Sequence, residues 1–233
     1  LSCMLDLIEK AENPQADTWS RRAWKNRHRH LSDLRSPKIY QSPDRYRRAV
    51  KDLNRLLQLS GNQSGCDITL SNLTNRQLSP LKSEDLLEAA EQFDRNPFHT
   101  SFSKSLERLI GDYSPKIIGI SMSFLSQALT GFAMLGYLKS HFPSIITVAG
   151  GSLITSWMSG PNWPLKLETS ADHFIKGPGE EILLELAGAE TGCEKKLPDY
   201  SHFRFSDYLS PGSILPYSCA DGCYWNKCKS SLI

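Results

Sequence analysis

The chain has 233 residues, 39% of them hydrophobic, enough for one large domain or two small ones with a real core, which excludes a disordered tail. Lys and Arg total 27 against 25 for Asp and Glu, and a net charge of +2 gives no global electrostatic ground for binding nucleic acid or an acidic membrane. No apolar run approaches the roughly 20 residues of a membrane span and the first residues lack the layout of a signal peptide, so a soluble protein of a reducing, cytoplasmic compartment is expected.

From residue 1 to about 60 the pattern is helical, punctuated by Pro14, Ser36-Pro37 and Ser42-Pro43, because proline suits the first turn of a helix and not its interior. Tyr46, Val50, Leu53, Leu56 and Leu57 recur at helical spacing, which predicts an amphipathic helix over 44–59 begun by Ser42-Pro43-Asp44. Its basic face carries Arg45, Arg48, Lys51 and Arg55. The run from Arg21 to His30 has two readings: a grip on the phosphates of a nucleic acid or on an anionic leader peptide, or the solvated face of a helix that tucks Trp24 inward. The second is favoured, because acidic residues elsewhere cancel the charge.

Gly61 and Gly65 bracket a turn, after which Asp67-Ile68-Thr69-Leu70 alternates like a short strand. A helix is predicted from Ser83 to about Phe93, capped by Ser83, with Glu84 and Asp85 in its first turn and Asn96-Pro97 at its end. Another runs from about Ser101 to Ile110, with Phe102, Leu106, Leu109 and Ile110 on one face and Gly111 placed to stop it.

The run from Lys116 to Phe124 is nearly all apolar, as a strand buried on both faces reads. A helix from Leu125 to about His141 follows, closed by Pro143, and residues 144–149 supply the next strand. Strand, helix and strand at this spacing make a βαβ unit and hence a parallel sheet, so the fold class is α/β. Gly150-Gly151 ends the second strand, where ligands of open α/β sheets usually lie. A third unit has a short strand over 172–176, a turn at Gly177-Pro178-Gly179, and a helix from Glu180 to Ala187. That turn also reads as an anion cradle at a helix start, but Glu180 and Glu181 would repel phosphate, which favours a structural turn. Between 188 and 213 periodicity is lost, as in a linker with anchoring patches at Pro198-Asp199-Tyr200 and Asp207-Tyr208-Leu209.

Three of the six cysteines, Cys219, Cys223 and Cys228, fall on one glycine-containing loop after a short apolar run. Soft thiolates gathered on one loop suit zinc or an iron–sulfur cluster. Zinc wants four ligands, and no CxxH or second CxxC lies nearby to complete the set. Plain thiols in a loop remain the other reading.

The loop resembles the cluster loop of radical S-adenosylmethionine enzymes, in the branch whose barrel follows a cobalamin-binding-like domain. Cys223 and Cys228 match the first two ligands of that family's C-x4-C-x2-C pattern, with Tyr224 and Trp225 between them. Ser231 stands where the third cysteine is expected, and Cys219 is a candidate substitute. The family's cobalamin-binding-like domain carries Ser-x-Ser, Gly-Gly and Gly-x-Gly-Glu in turn. Ser121, Ser123, Gly150, Gly151, Gly177, Gly179 and Glu180 match these, so the resemblance covers roughly 115–228.

The resemblance implies a parallel-sheet, Rossmann-like cobalamin-binding-like domain with a helical amino-terminal region and the start of a radical enzyme barrel. The boundaries are then 1–112 for the helical region, 113–190 for the α/β domain, 191–212 for a linker, and 213–233 for the first barrel strand and the cysteine loop. It also implies a [4Fe–4S] cluster and S-adenosylmethionine, with cobalamin as a candidate ligand of the Ser-x-Ser and Gly-Gly positions. The DxHxxG motif that gives cobalt an axial histidine is absent, since His28, His30, His99, His141, His173 and His202 all lack that context, so no protein histidine on cobalt is expected. Small-molecule cofactors and a peptide substrate are the expected partners, with neither nucleic acid nor membrane. The chain opens at Leu1 and ends within the cysteine loop, so it is expected to be a piece of a longer protein, to hold at most a labile cluster and not to turn over. The alternative is a non-catalytic α/β module that binds cobalamin or a partner protein and carries the cysteine loop as a relic.

Overall fold

A computed structural model of the chain describes residues 2–9, 11, 12, 14, 17–161, 163–189, 200, 201, 205 and 208–214. They fall into two compact units, the first made of described residues from 1–60, 68–71 and 200–214, the second of 61–67 and 72–189. Among the described residues no helix is long and apolar enough to cross a membrane.

The first unit is helical: α1 (Ser2–Glu9), α2 (Thr18–Leu34), α3 (Pro37–Tyr40) and α4 (Pro43–Gln63), whose last three residues belong to the second unit. Asp17 begins α2 from an extended conformation, its carboxylate accepting the amides of Trp19 and Ser20 at 2.8 and 2.9 Å and the Ser20 hydroxyl at 2.6 Å. The Ser20 hydroxyl and amide are the main reason that this carboxyl lies below the usual carboxylate range. The basic run lies on α2 and divides between solvent and interior. Arg22 and His30 both reach the buried Asp52 of α4, at 2.9 and 3.1 Å. Half-buried Trp24 donates its ring N–H to the Ala11 carbonyl at 2.8 Å and lies 4.6 Å beneath the Arg27 guanidinium. Arg21, Lys25, His28 and Arg29 are exposed, so the run is a helix with its tryptophan turned inward. Leu53, Leu56 and Leu57, apolar at the spacing that predicts α4, are all at most 1% exposed.

β1 (Cys66–Ile68) and β2 (Leu73–Asn75) pair as a two-stranded sheet. Next come α5 (Ser83–Glu91), a single 3-10 turn at Phe93–Arg95, and α6 (His99–Tyr113). Three helix ends differ from the sequence expectation, and one is that of α4, which runs through Gly61 to Gln63 where a turn is expected. Lys82, not Ser83, occupies the cap position of α5, and no side chain caps it; Ser83 is already helical. Gly111 does not stop α6, which runs on to Tyr113 because Ser114 takes the left-handed conformation (φ 47°) and returns its amide to the Ile110 carbonyl at 2.8 Å.

The centre of the second unit is a parallel sheet of order β3 (Ile117–Ser121), β4 (Ile146–Gly150) and β5 (His173–Phe174). A 3-10 turn at Leu125–Gln127 and α7 (Ala128–His141) cross from β3 to β4, while α8 (Ser152–Ser159) and a 3-10 segment at Leu165–Ser170 join β4 to β5. Mixed α/β with a three-stranded parallel sheet is therefore the architecture. Ile120, Ala149 and Phe174 stand side by side in register on one face of the sheet. That face packs on Phe132 and Leu135 of α7, Leu86 of α5 and Ile154 of α8. β3 differs from its expected burial on both faces: it is an edge strand whose Gly119 and Ser121 are exposed, and β4, between two neighbours, carries the buried run Thr147-Val148-Ala149. A seven-residue α9 (Glu180–Leu186) follows β5.

Candidate functional site

The seven residues that the sequence singles out on the α/β unit, Ser121, Ser123, Gly150, Gly151, Gly177, Gly179 and Glu180, lie at or just beyond the carboxyl ends of three adjacent parallel strands. In an open parallel sheet this is where the connections diverge and leave backbone groups turned toward a ligand. β3 continues past its last residue, with the Met122 amide on the Gly150 carbonyl at 2.8 Å, and β5 likewise, with the Ile175 amide on the Ala149 carbonyl at 2.8 Å.

The loop after β3 is held by a side chain. Gln127 Oε1 accepts the amides of Ser123 and Phe124 at 2.8 and 3.1 Å, and the Ser152 hydroxyl donates to the Ser123 carbonyl at 3.1 Å. Ser121 and Ser123 are exposed, so they are not polar groups satisfied inside a buried strand. Exposed apolar side chains follow β3, Phe124 at 68% and Leu125 at 39%, and others stand on α9 after β5, Ile182 and Leu183 at 39% and 40%.

The glycines divide by role. Gly151 has φ 102°, and a Cβ there would lie 2.4 Å from the Met122 carbonyl oxygen, so its space is taken by the chain's own backbone. Gly177 has φ 81° with nothing within 4 Å of a Cβ position, so room for an approaching ligand exists there, and its amide is held by the Thr155 hydroxyl at 3.0 Å. Glu180 and Glu181 are exposed in the first turn of α9.

Among the described residues no group of three or more His, Cys, Asp or Glu side chains is placed to hold a metal ion. Cys219, Cys223 and Cys228, together with Tyr224, Trp225 and Ser231, lie outside the described residues. Cys66 is buried and donates its thiol to the Ser64 carbonyl at 3.4 Å; burial pushes this thiol above its usual pKa.

A second concave feature escapes sequence reasoning. The first unit holds a cavity of about 640 Å³, lined chiefly by aromatic and aliphatic groups that include Tyr40, Tyr46, Val50, Leu70 and Tyr208. Tyr40 gives its hydroxyl to the Leu34 carbonyl at 2.8 Å and meets Tyr46 with ring centroids 5.4 Å apart. Burial raises the Tyr40 phenol above its ordinary pKa. The sequence signals it only through the two anchoring patches, whose Tyr200, Tyr208 and Leu209 line it.

Comparison of the chain with family models, with curated proteins and with solved structures gives no match.

Proposed function

We propose that the chain is the amino-terminal part of a radical S-adenosylmethionine iron–sulfur protein, its second unit a Rossmann-like, cobalamin-binding-like domain, with a peptide as candidate substrate. The observation that most supports this reading is the convergence of Ser-x-Ser, Gly-Gly and Gly-x-Gly on the carboxyl ends of three consecutive parallel strands. These motifs are separated by tens of residues, and a shared sheet edge is what a common ligand requires.

The residues at that edge fit a corrin in chemistry. The Ser121 and Ser123 hydroxyls would bond its polar periphery, Gly177 leaves room for close approach, and Phe124 with Leu183 would cover its apolar face and exclude water. Cys223 and Cys228, with Cys219 as the third thiol, would hold the cluster, and three thiolates are a donor set suited to iron and sulfide. When bound, the cluster and S-adenosylmethionine supply one-electron reductive chemistry and hydrogen abstraction from a substrate.

Ser231, in place of the third family cysteine, favours a second reading: a cobalamin- or partner-binding α/β module without catalysis. Two measurements separate the readings. In the first, the chain is titrated with hydroxocobalamin and binding is followed by absorbance, alongside Gly177→Trp. In the second, the chain is reconstituted anaerobically with iron and sulfide, and paramagnetic resonance of the reduced protein is recorded with and without S-adenosylmethionine. Saturable cobalamin binding lost in the variant, with a cluster signal that shifts on adding S-adenosylmethionine, is the result expected of the enzyme reading. Cobalamin binding without a responsive cluster selects the module. Absence of both overturns the family assignment.

A further inference from the structure

The aromatic cavity of the first unit opens onto a cationic groove. α4 borders both: Tyr46, Val50 and Asn54 line the 640 Å³ cavity and also an adjoining concavity of about 430 Å³, whose remaining lining includes Arg47, Lys51 and Arg55. The spacing explains the join. Arg47, Lys51 and Arg55 stand four residues apart and so share one stripe of α4, while Tyr46, Val50 and Asn54 form the neighbouring stripe, also four residues apart. One stripe feeds the apolar cavity and the other the charged groove.

The charge has one sign. No Asp or Glu is among the described residues that line either concavity. Arg55 is engaged by Asp17 at 3.2 Å, and Arg47 lies 3.9 Å from the Asp44 carboxylate, both of these latter groups being exposed. Lys51 is exposed and has no carboxylate partner among the described residues. The apolar side is open as well: Tyr46 is 39% exposed, Tyr208 47% and Ile214 65%. A cavity of this volume matches those that enclose small organic ligands, and tyrosine rings favour an aromatic body that can stack or meet them edge-on.

We propose that this cleft binds an aromatic organic anion, with its ring system in the tyrosine-lined cavity and its carboxylate, sulfonate or phosphate on Lys51. The site belongs wholly to the first unit and uses none of the residues at the strand ends. Apolar surface gives the affinity, and the cationic stripe selects the sign of the charge and its position relative to the rings.

The test is fluorescence titration of the full 233-residue chain with two dyes of one ring skeleton, 8-anilinonaphthalene-1-sulfonate and its uncharged counterpart N-phenyl-1-naphthylamine. Two substitutions accompany it at exposed positions, Lys51→Glu and Ser71→Trp, the latter at the lip of the cavity. Circular dichroism checks that each keeps its helix content. The expected result is one saturable site that holds the sulfonate about twofold to fivefold tighter than the uncharged dye, as one exposed ion pair allows. Lys51→Glu erases that preference while leaving the uncharged dye bound, and Ser71→Trp weakens both. Equal affinity for the two dyes, unsaturable binding, or binding indifferent to both substitutions overturns the proposal.

Discussion

Asp172 and Thr147 hold one another across β4 and the entry to β5: Asp172 Oδ2 accepts the Thr147 amide at 2.7 Å and its hydroxyl at 2.8 Å, and the Asp172 amide donates back to Thr147 Oγ1 at 3.1 Å. β5 is only two residues long, so its ladder alone fixes it weakly. The pair supplies the missing register.

Loss of this carboxylate should therefore loosen the third strand. Thr147 is 0% exposed, and Asp172→Ala leaves its amide and hydroxyl without their acceptor, at a cost of about 1–3 kcal/mol in urea unfolding at neutral pH. Burial works against the charge on Asp172, but the Thr147 bonds, with Lys139 and His173 nearby, hold the carboxyl below its ordinary 3.8. A depressed carboxylate contributes stability that is complete above its unfolded value and is lost as pH falls through the folded one. The gap between wild type and Asp172→Ala should accordingly narrow below about pH 3.8; a gap independent of pH would refute the assignment.

Gly151 and Gly177 both have positive φ, yet their substitutions should differ in cost. Gly151→Ala meets the Met122 backbone at 2.4 Å as well as the conformational penalty, and a loss of about 3 kcal/mol or more is expected. Gly177→Ala meets open space, so only the left-handed penalty of about 1–2 kcal/mol applies. Chemical denaturation of the two variants side by side checks the order. Equal losses would mean that the Met122 contact yields easily.

Tyr137 donates its hydroxyl to Glu107 at 2.6 Å from a buried position. Burial, and after it the Glu107 bond, push the phenol up to about 12. A raised folded value means that the neutral phenol contributes stability in full below its unfolded value near 10, and that this contribution disappears as pH rises through the folded one. Ultraviolet titration should show one tyrosine that ionises about two pH units after exposed ones and is absent from Tyr137→Phe. The same variant should lose about 1 kcal/mol at neutral pH and show a shallower decline between pH 10 and 12.

The crossover units were legible because β4 and α7 sit inside the second unit, and a buried element must be apolar along its length. Residues 146–150 and the Leu129, Phe132, Leu135 and Leu138 series carry that signal openly. β3 carries the same composition without the burial, since an edge position depends on which strand comes to lie beside it and not on the strand's own residues. The end of α6 differs because Ser114, three residues beyond Gly111, takes the left-handed conformation that glycine takes at lower cost, while Gly111 itself stays helical. α8 carries Leu153, Ile154, Trp157 and Met158 at helical spacing, all packed on the core, but its eight residues directly after Gly150-Gly151 make that signal short. The cleft of the first unit draws on residues 34–71 and 200–214, and proximity across such a separation is a product of folding that no local pattern encodes. At the strand ends the motif glycines were visible, but only the backbone distances distinguish Gly151, filled by Met122, from Gly177, left open.

Met122 is gripped from both sides: its amide is tied to the Gly150 carbonyl at 2.8 Å and its carbonyl to the Leu153 amide at 3.1 Å, while its side chain is 1% exposed. The tip of β3, the end of β4 and the first turn of α8 are thereby riveted into one stiff block. Because these ties are made by main-chain groups, they set the alignment of the three elements independently of the polar side chains at the sheet edge.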